Sequence, residues 1–201
     1  MADFILASQS PRRVEILEQI GMRFAQRPAA IDESRFRGEP AEDYVLRMAI
    51  SKARAVWDLL QTGQIPEFAG LPVLGADTIV VLGDKVFTQP TDQDDAISTL
   101  LALSGSCHRV LSAVALCGSK GEQTQLSETQ VTFNALSRAQ CERYWASGEP
   151  CDKAGAYAIQ GLGAVFVKSI QGSYSGVVGL PITETVLLLE QYGVSCWNTH
   201  A

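Results

Sequence analysis

The ten residues from Val73 to Leu82, VLGADTIVVL, contain a single charge. A run this apolar and of strand length predicts a buried strand, central in its sheet. That expectation fixes much of the fold, because a central strand must be covered by other elements. It also sets a chemical problem at Asp77. An ionised carboxylate there is costly unless it is paired, hydrogen-bonded or metal-bound. A structural ion pair is one reading of Asp77. A metal ligand or a general base is the other. Thr78 follows and faces the opposite side if the strand stays regular.

Around this strand the pattern alternates strands and helices. Phe4 to Ala7 reads as a first strand. Ser10-Pro11 reads as a helix start, since Ser is a good N-cap and Pro suits the first helical position. Val14, Leu17 and Ile20 give that helix an apolar stripe, and Gly21 stops it. A second strand is expected from Arg23 to Pro28, then a polar loop from Ala30 to Glu39. Pro40 opens a long helix to Gln61, whose apolar positions include Tyr44, Val45, Met48, Ala49 and Val56. Gly83-Asp84 reads as a hairpin turn into Val86-Phe87. Asp92 caps a helix to Leu103. Strands follow from Arg109 to Cys117 and from Thr124 to Phe133, and Ser137 caps a helix to Ala146. The glycine-rich stretch from Asp152 to Ser175 holds a strand at Ala164 to Ile170, and Pro181 opens a last helix to Tyr192. Long antiparallel strands among helices predict a mixed α/β or α+β fold on one extended sheet. With 201 residues the chain fits one domain with two lobes.

Bulk properties exclude several classes. Hydrophobic residues at 46% and charged residues at 19% predict a folded globular chain. No apolar run reaches the roughly 20 residues of a membrane span. The N-terminus does not read as a signal peptide, because its basic residues follow the apolar run. Five cysteines without CxxC spacing predict reduced thiols and a cytoplasmic protein rather than disulfides or zinc. A net charge of −6 argues against nucleic acid or acidic membrane as partners. A phosphate-bearing ligand would need a local basic cluster.

One such cluster and one lone lysine stand out. In Ser8-Gln9-Ser10-Pro11-Arg12-Arg13 a strand ends, two hydroxyls follow, and a helix begins with two arginines in its first turn. Cations are unfavourable at a helix N-terminus. Free N–H groups, hydroxyls and guanidinium forks together suit a phosphate; the alternative is a capped helix with two solvated arginines. Lys52 lies on the apolar face of the long helix, where it must snorkel or meet an anion. Glu33 is by default a surface-loop acid, but it could join Asp77 around Mg²⁺, which takes few carboxylates and mostly water and phosphate oxygens. In the segment Asp152 to Gly163, glycines surround Gln160. They would allow close backbone approach to a ligand, and a carboxamide can read a pyrimidine edge; a flexible glycine loop is the alternative. Neither His108 nor His200 has a catalytic neighbour in sequence. There is no Walker A, GxSxG or HExxH motif.

Taken in order, ILASQSPRR, Asp32-Glu33, ISKARA, LGADTIV, LSG, DKAGAYAIQGLGA and YSGVVGLPITET resemble the Maf family of nucleotide pyrophosphatases. The matches run from about residue 5 to about residue 190. The resemblance implies an elongated mixed sheet flanked by helices, inosine triphosphate pyrophosphatase-like, with two lobes around a central cleft. It implies attack of water on the α-phosphorus of a nucleoside triphosphate, release of pyrophosphate, and a divalent metal, Mg²⁺ or Mn²⁺. It assigns proton acceptance to Asp77, phosphate binding to Ser8, Arg13 and Lys52, and a metal role to Glu33 with Asp77. Arg12, Thr78 and Gln160 match the dTTP/UTP type of the family, and a homodimer is in keeping with it. A regulator of septum formation with little catalysis, and the same hydrolysis on a modified purine nucleotide, are the rival readings. One position departs from the pattern. Gln89, in DKVFTQP, stands where the family has lysine. Loss of a charge-assisted contact there would cost roughly 1.5–3 kcal/mol. Lys85 lies four residues earlier.

Overall fold

A computed structural model describes residues 2–197; His200 lies outside the described residues. Seven strands form one mixed sheet: β1 (Phe4–Leu6), β2 (Phe24–Gln26), β3 (Val73–Leu82), β4 (Lys85–Phe87), β5 (Cys107–Gly118), β6 (Gly121–Phe133) and β7 (Val167–Gln171). Their order is β2-β1-β3-β5-β6-β7, with β4 paired to β3. β1 is parallel to both β2 and β3, whereas β3–β4 and β6–β7 are antiparallel. The helices are α1 (Pro11–Gln19), α2 (Ala41–Gln61), α3 (Gln93–Leu103), α4 (Arg138–Trp145), α5 (Tyr174–Val178) and α6 (Ile182–Glu190). None is long and apolar enough to cross a membrane, among the described residues. All five cysteines are free thiols. The chain divides into two compact units. One takes the residues up to Asp77, Ser112–Ser127 and those from Gly179 on; the other takes Thr78–Leu111 and Glu128–Val178.

In the first unit, β1 is fully buried, and so is its side of β3 at Val73 and Leu74. α1 departs from its expected stripe. Ile16 and Leu17 are buried, but the third inward residue is Arg13, while Val14 and Ile20 are only partly covered. The spacing i, i+3, i+4 is kept and the face is rotated toward the arginine, whose guanidinium has partners inside. Ser10 occupies the N-cap position without a side-chain cap bond. The Ser10 amide instead donates to Ser8 Oγ at 3.1 Å. Gly21 takes φ +70° and its amide returns to the Glu18 carbonyl, ending the helix as expected.

α2 buries Tyr44, Val45, Met48, Ala49, Ala53 and Val56, so its apolar stripe is as read from spacing. It packs on β3 at backbone distance. A Cβ on Gly75 would come 2.7 Å from the Ala53 amide nitrogen and nearer still to the Ala49 carbonyl. Small residues on both surfaces allow that approach.

The second unit surrounds Val80, Phe87, Ile97, Leu100, Phe133 and Phe166. Asp92 caps α3 by accepting from the Asp95 amide at 2.9 Å, and Ser137 with Gln140 forms a capping box on α4. Two local expectations shift here. The strand expected from Ala164 begins at Val167, because Leu162–Phe166 is a 3₁₀ turn that sends Phe166 into the core. α5 was not anticipated; its first turn is closed by the Gly176 amide donating to Ser173 Oγ.

His108 is 1% exposed in this unit and pairs through Nε2 with the Tyr157 hydroxyl at 3.0 Å. Its Nδ1 makes no hydrogen bond among the described residues. Phe133 and Tyr157 meet it edge-on. Burial lowers its pKa from 6.5 to about 4. Between those values the unfolded chain binds a proton that the folded chain does not, so stability falls as pH drops through this window. The loss should approach about 3 kcal/mol by pH 4. Urea titrations of the wild type and His108→Gln between pH 7 and pH 4 should show a shallower acid slope in the variant. Parallel slopes would mean that His108 protonates freely in the folded state.

Candidate active site

The first unit gathers the charged residues singled out in the sequence. β1 ends at Leu6, and Ala7 and Ser8 continue it into a buried turn. The Ser8 carbonyl accepts from Gln26 Nε2 at 2.9 Å, which ties the turn to β2. Ser8 Oγ accepts from the Ser10 amide and from Arg13 Nη1, the latter at 3.0 Å. Arg13 Nε donates to the Gly179 carbonyl at 2.8 Å. Two fixed bonds therefore hold a guanidinium that is only 9% exposed. Burial lowers its pKa and the nearby Asp77 carboxylate opposes that shift, yet guanidinium stays charged in proteins. Arg12 is partly buried beside it.

Asp77 is the buried acid that the sequence required to have a partner. Lys52 Nζ donates to its Oδ1 at 2.7 Å. Both side chains are 11% exposed, so Lys52 meets an anion instead of snorkelling. The same ammonium reaches Glu33 Oε1 at 2.9 Å. Glu33 and Asp77, 44 positions apart in the chain, are thus brought to one cation. Burial raises the Asp77 pKa above the ordinary carboxylate value, against the opposing pull of Lys52 and then Arg13. A carboxylate with raised proton affinity, near two cations, can accept a proton without becoming permanently neutral.

Glu33 sits on a loop with no regular structure, yet its backbone is fixed. Tyr44 on α2 donates to the Glu33 carbonyl at 2.8 Å. Arg47, one turn on, donates to the Ser34 carbonyl, pairs with Glu39 at 2.6 Å, and lies 4.0 Å from the centre of the Phe36 ring. Burial and the negative potential of Asp77 and Glu33 push the Tyr44 pKa up to about 12, so it stays a donor. Tyr44 and Gln26 are site-supporting residues that the sequence reading passed over. In the sequence Tyr44 belongs to the apolar stripe of α2, although its position two turns before Lys52 puts its hydroxyl on the same face.

Thr78 and Gln160 belong to the second unit. Thr78 is partly buried and follows Asp77 on an uninterrupted β3, so the two alternate across the sheet. Gln160 is exposed on the turn between Ala158 and Gly163. The glycines around it have a nearer explanation than ligand approach. Gly155 adopts φ +70° against Val80, and a Cβ on Gly163 would sit 2.6 Å from the Tyr144 hydroxyl oxygen. Gln89 donates to the Asp152 carbonyl at 3.3 Å, next to Lys153, which pairs with Asp152. Lys85 rests its ammonium 4.6 Å from the centre of the Phe87 ring.

The family model for Maf-like proteins matches residues 3–192. The chain belongs to the Maf-like family. Its Maf-like relatives include a dTTP/UTP pyrophosphatase from Saccharophagus degradans, 48% identical over all of this chain and 93% of its own length. A second dTTP/UTP pyrophosphatase, from Alkalilimnicola ehrlichii, is 49% identical over 94% of this chain and 92% of its own. A third, from Pasteurella multocida, is 47% identical over 95% of this chain and 96% of its own. A solved nucleoside-triphosphatase, a dITP/XTP pyrophosphatase from Mycobacterium abscessus, overlaps 65% of this Maf-like chain and 72% of its own. Its TM-score of 0.37 at 17% identity is too slight a likeness to bear on function.

Proposed function

We propose that this chain hydrolyses dTTP and UTP, in the cytoplasm, to the nucleoside monophosphate and pyrophosphate. The observation that carries the reading is the buried Asp77 paired with Lys52, with the charge of Arg13, held by Ser8, acting on the same carboxylate. A triphosphate needs neutralisation of charge that spreads during transfer, more than it needs a covalent nucleophile. Arg13 offers a positive charge fixed in place by its bonds to Ser8 and Gly179, and Lys52 a second point charge, for phosphate oxygens. Ser8 Oγ orients Arg13 and lies at the start of α1, where amide N–H groups also favour anions. Asp77 would accept the proton of the water that attacks the α-phosphorus, and pyrophosphate would leave.

A divalent cation fits the donor set. Glu33 and Asp77 present one oxygen each to a single point now held by the Lys52 ammonium. No group of three or more His, Cys, Asp or Glu suited to a metal occurs among the described residues. Two carboxylates with substrate oxygens and water completing the shell suit Mg²⁺ or Mn²⁺. Glu33 would hold that ion, with Asp77 as its second ligand in the alternative where Asp77 is not the base, and the ion would supply Lewis-acid polarisation of the phosphates.

Gln160 would read the pyrimidine edge through its amide donor and carbonyl acceptor. The test is pyrophosphate release from a panel of nucleoside triphosphates with Mg²⁺ or Mn²⁺. The wild type should favour dTTP and UTP, and Gln160→Glu should reduce that preference by about tenfold or more, since loss of a matched polar contact is worth roughly 1–3 kcal/mol. Equal turnover of purine and pyrimidine nucleotides by the wild type would reject the substrate assignment. Absence of pyrophosphate from every substrate would reject the activity.

A further inference from the structure

The turn that carries Gln160 is fastened from outside by two side chains that the proposed chemistry does not use. Glu149, on the 3₁₀ turn Glu149–Asp152, accepts from the Leu162 amide at 2.9 Å and from the Gly163 amide at 3.0 Å. Tyr144, on α4, donates its hydroxyl to Glu149 Oε1 at 2.6 Å and accepts from the Ala158 amide at 3.0 Å. Three amides, at positions 158, 162 and 163, are thus taken up by one carboxylate and one phenol. Gln160 stands midway between them, and the Gly161 amide closes the turn on the Ala158 carbonyl at 3.3 Å. All of these residues lie in the second unit.

The glycines fit the same arrangement. A Cβ on Gly161 would overlap the Glu149 carboxylate, and one on Gly163 would crowd the Tyr144 hydroxyl. Positions 161 and 163 are glycine because the backbone there presses against these two groups. Burial would raise the Glu149 pKa, but its bonds from Tyr144, Gly163 and Leu162 outweigh burial and hold it below the ordinary value. The carboxylate stays ionised, and an ionised acceptor makes the shorter and stronger bond.

We propose that Glu149 and Tyr144 are positioning residues for Gln160, setting pyrimidine preference by fixing the backbone on which the base-reading carboxamide stands. The inference rests on the reading of Gln160 given above. A side chain held on an ordered backbone pays less ordering entropy when it binds, so its discrimination is sharper. A fastening that served stability alone would leave that discrimination untouched.

The experiment measures kcat, KM and thermal midpoint for dTTP, UTP and GTP in the wild type, Glu149→Ala, Glu149→Gln, Tyr144→Phe, Gly161→Ala and Gln160→Ala. The double variant Glu149→Ala/Gln160→Ala is included. Glu149→Ala should raise KM for UTP about tenfold with a smaller change in kcat, and lower the UTP-to-GTP preference by a similar factor. Glu149→Gln keeps one acceptor and should lose less. Gly161→Ala displaces the carboxylate with Glu149 and Gln160 intact, and should resemble Glu149→Ala. In the Gln160→Ala background, Glu149→Ala should change the preference no further, since residues acting as one unit are non-additive. If Gln160→Ala abolishes the preference but folded Glu149 and Gly161 variants keep it, the positioning role is wrong and the reading of Gln160 stands. If Gln160→Ala keeps the wild-type preference, the reading of Gln160 falls and this inference falls with it.

Discussion

Asp77→Asn is expected to slow pyrophosphate release by about a thousandfold while leaving the fold in place. The rate expectation follows from the role of a positioned base, which contributes roughly 10²- to 10⁴-fold. Asparagine has the same shape and retains an oxygen that can accept from Lys52, but it cannot take a proton. The fold should survive because the substitution removes a charge that burial already disfavours. Lys52 keeps Glu33 as an ionic partner. Circular dichroism and the thermal midpoint should therefore stay close to wild type, while initial rates at saturating UTP collapse. A folded Asp77→Asn enzyme within tenfold of wild-type turnover would remove Asp77 from the chemistry.

Gly75→Ala is expected to damage stability and activity together. The added methyl has no flexible neighbour to displace, because the atoms it meets are the Ala49 carbonyl and the Ala53 amide of α2. Overpacking against flexible side chains costs about 1–3 kcal/mol, and backbone neighbours put this site at the upper end. A loss of about 3 kcal/mol corresponds to a fall in midpoint of roughly 6–12 °C for a chain of this size. Lys52 lies between the two crowded residues in sequence. If α2 shifts to admit the methyl, its ammonium loses the 2.7 Å contact with Asp77. A misplacement near 1 Å can cost about a hundredfold in rate. Calorimetry and steady-state rates on the same preparation test both halves. A variant with wild-type midpoint and rate would mean that strand and helix are less closely packed than this.

The legible parts of the molecule were those where a local rule and the tertiary structure agree. β3 announced itself by ten nearly chargeless residues; Asp77 within it required a partner and Lys52 on the apolar face of α2 required an anion, and the structure joins the two demands. That pair could be sought from sequence because each member violates its own pattern. Glu33 gave no such signal. It is exposed, and only the Tyr44 and Arg47 bonds to the backbone of its loop explain why it stands beside Lys52. α1 was misread by one position because hydropathy counts an arginine as outward. Arg13 turns inward since Ser8 Oγ and the Gly179 carbonyl meet its fork, and Gly179 is 166 residues away. The glycine loop was the hardest to read. Glycine content alone does not distinguish room for a ligand from room for Glu149 and Tyr144.

The division of the chain has a practical outcome for anyone who wishes to dissect it. The borders at Asp77/Thr78, Leu111/Ser112 and Ser127/Glu128 fall within β3, β5 and β6, and the last, at Val178/Gly179, follows α5. Each unit is therefore woven from separated stretches of polypeptide, and no single cut of the gene yields either one whole. Fragments made by truncation should be insoluble or unfolded, whereas two complementary pieces expressed together have the better prospect of reassembling.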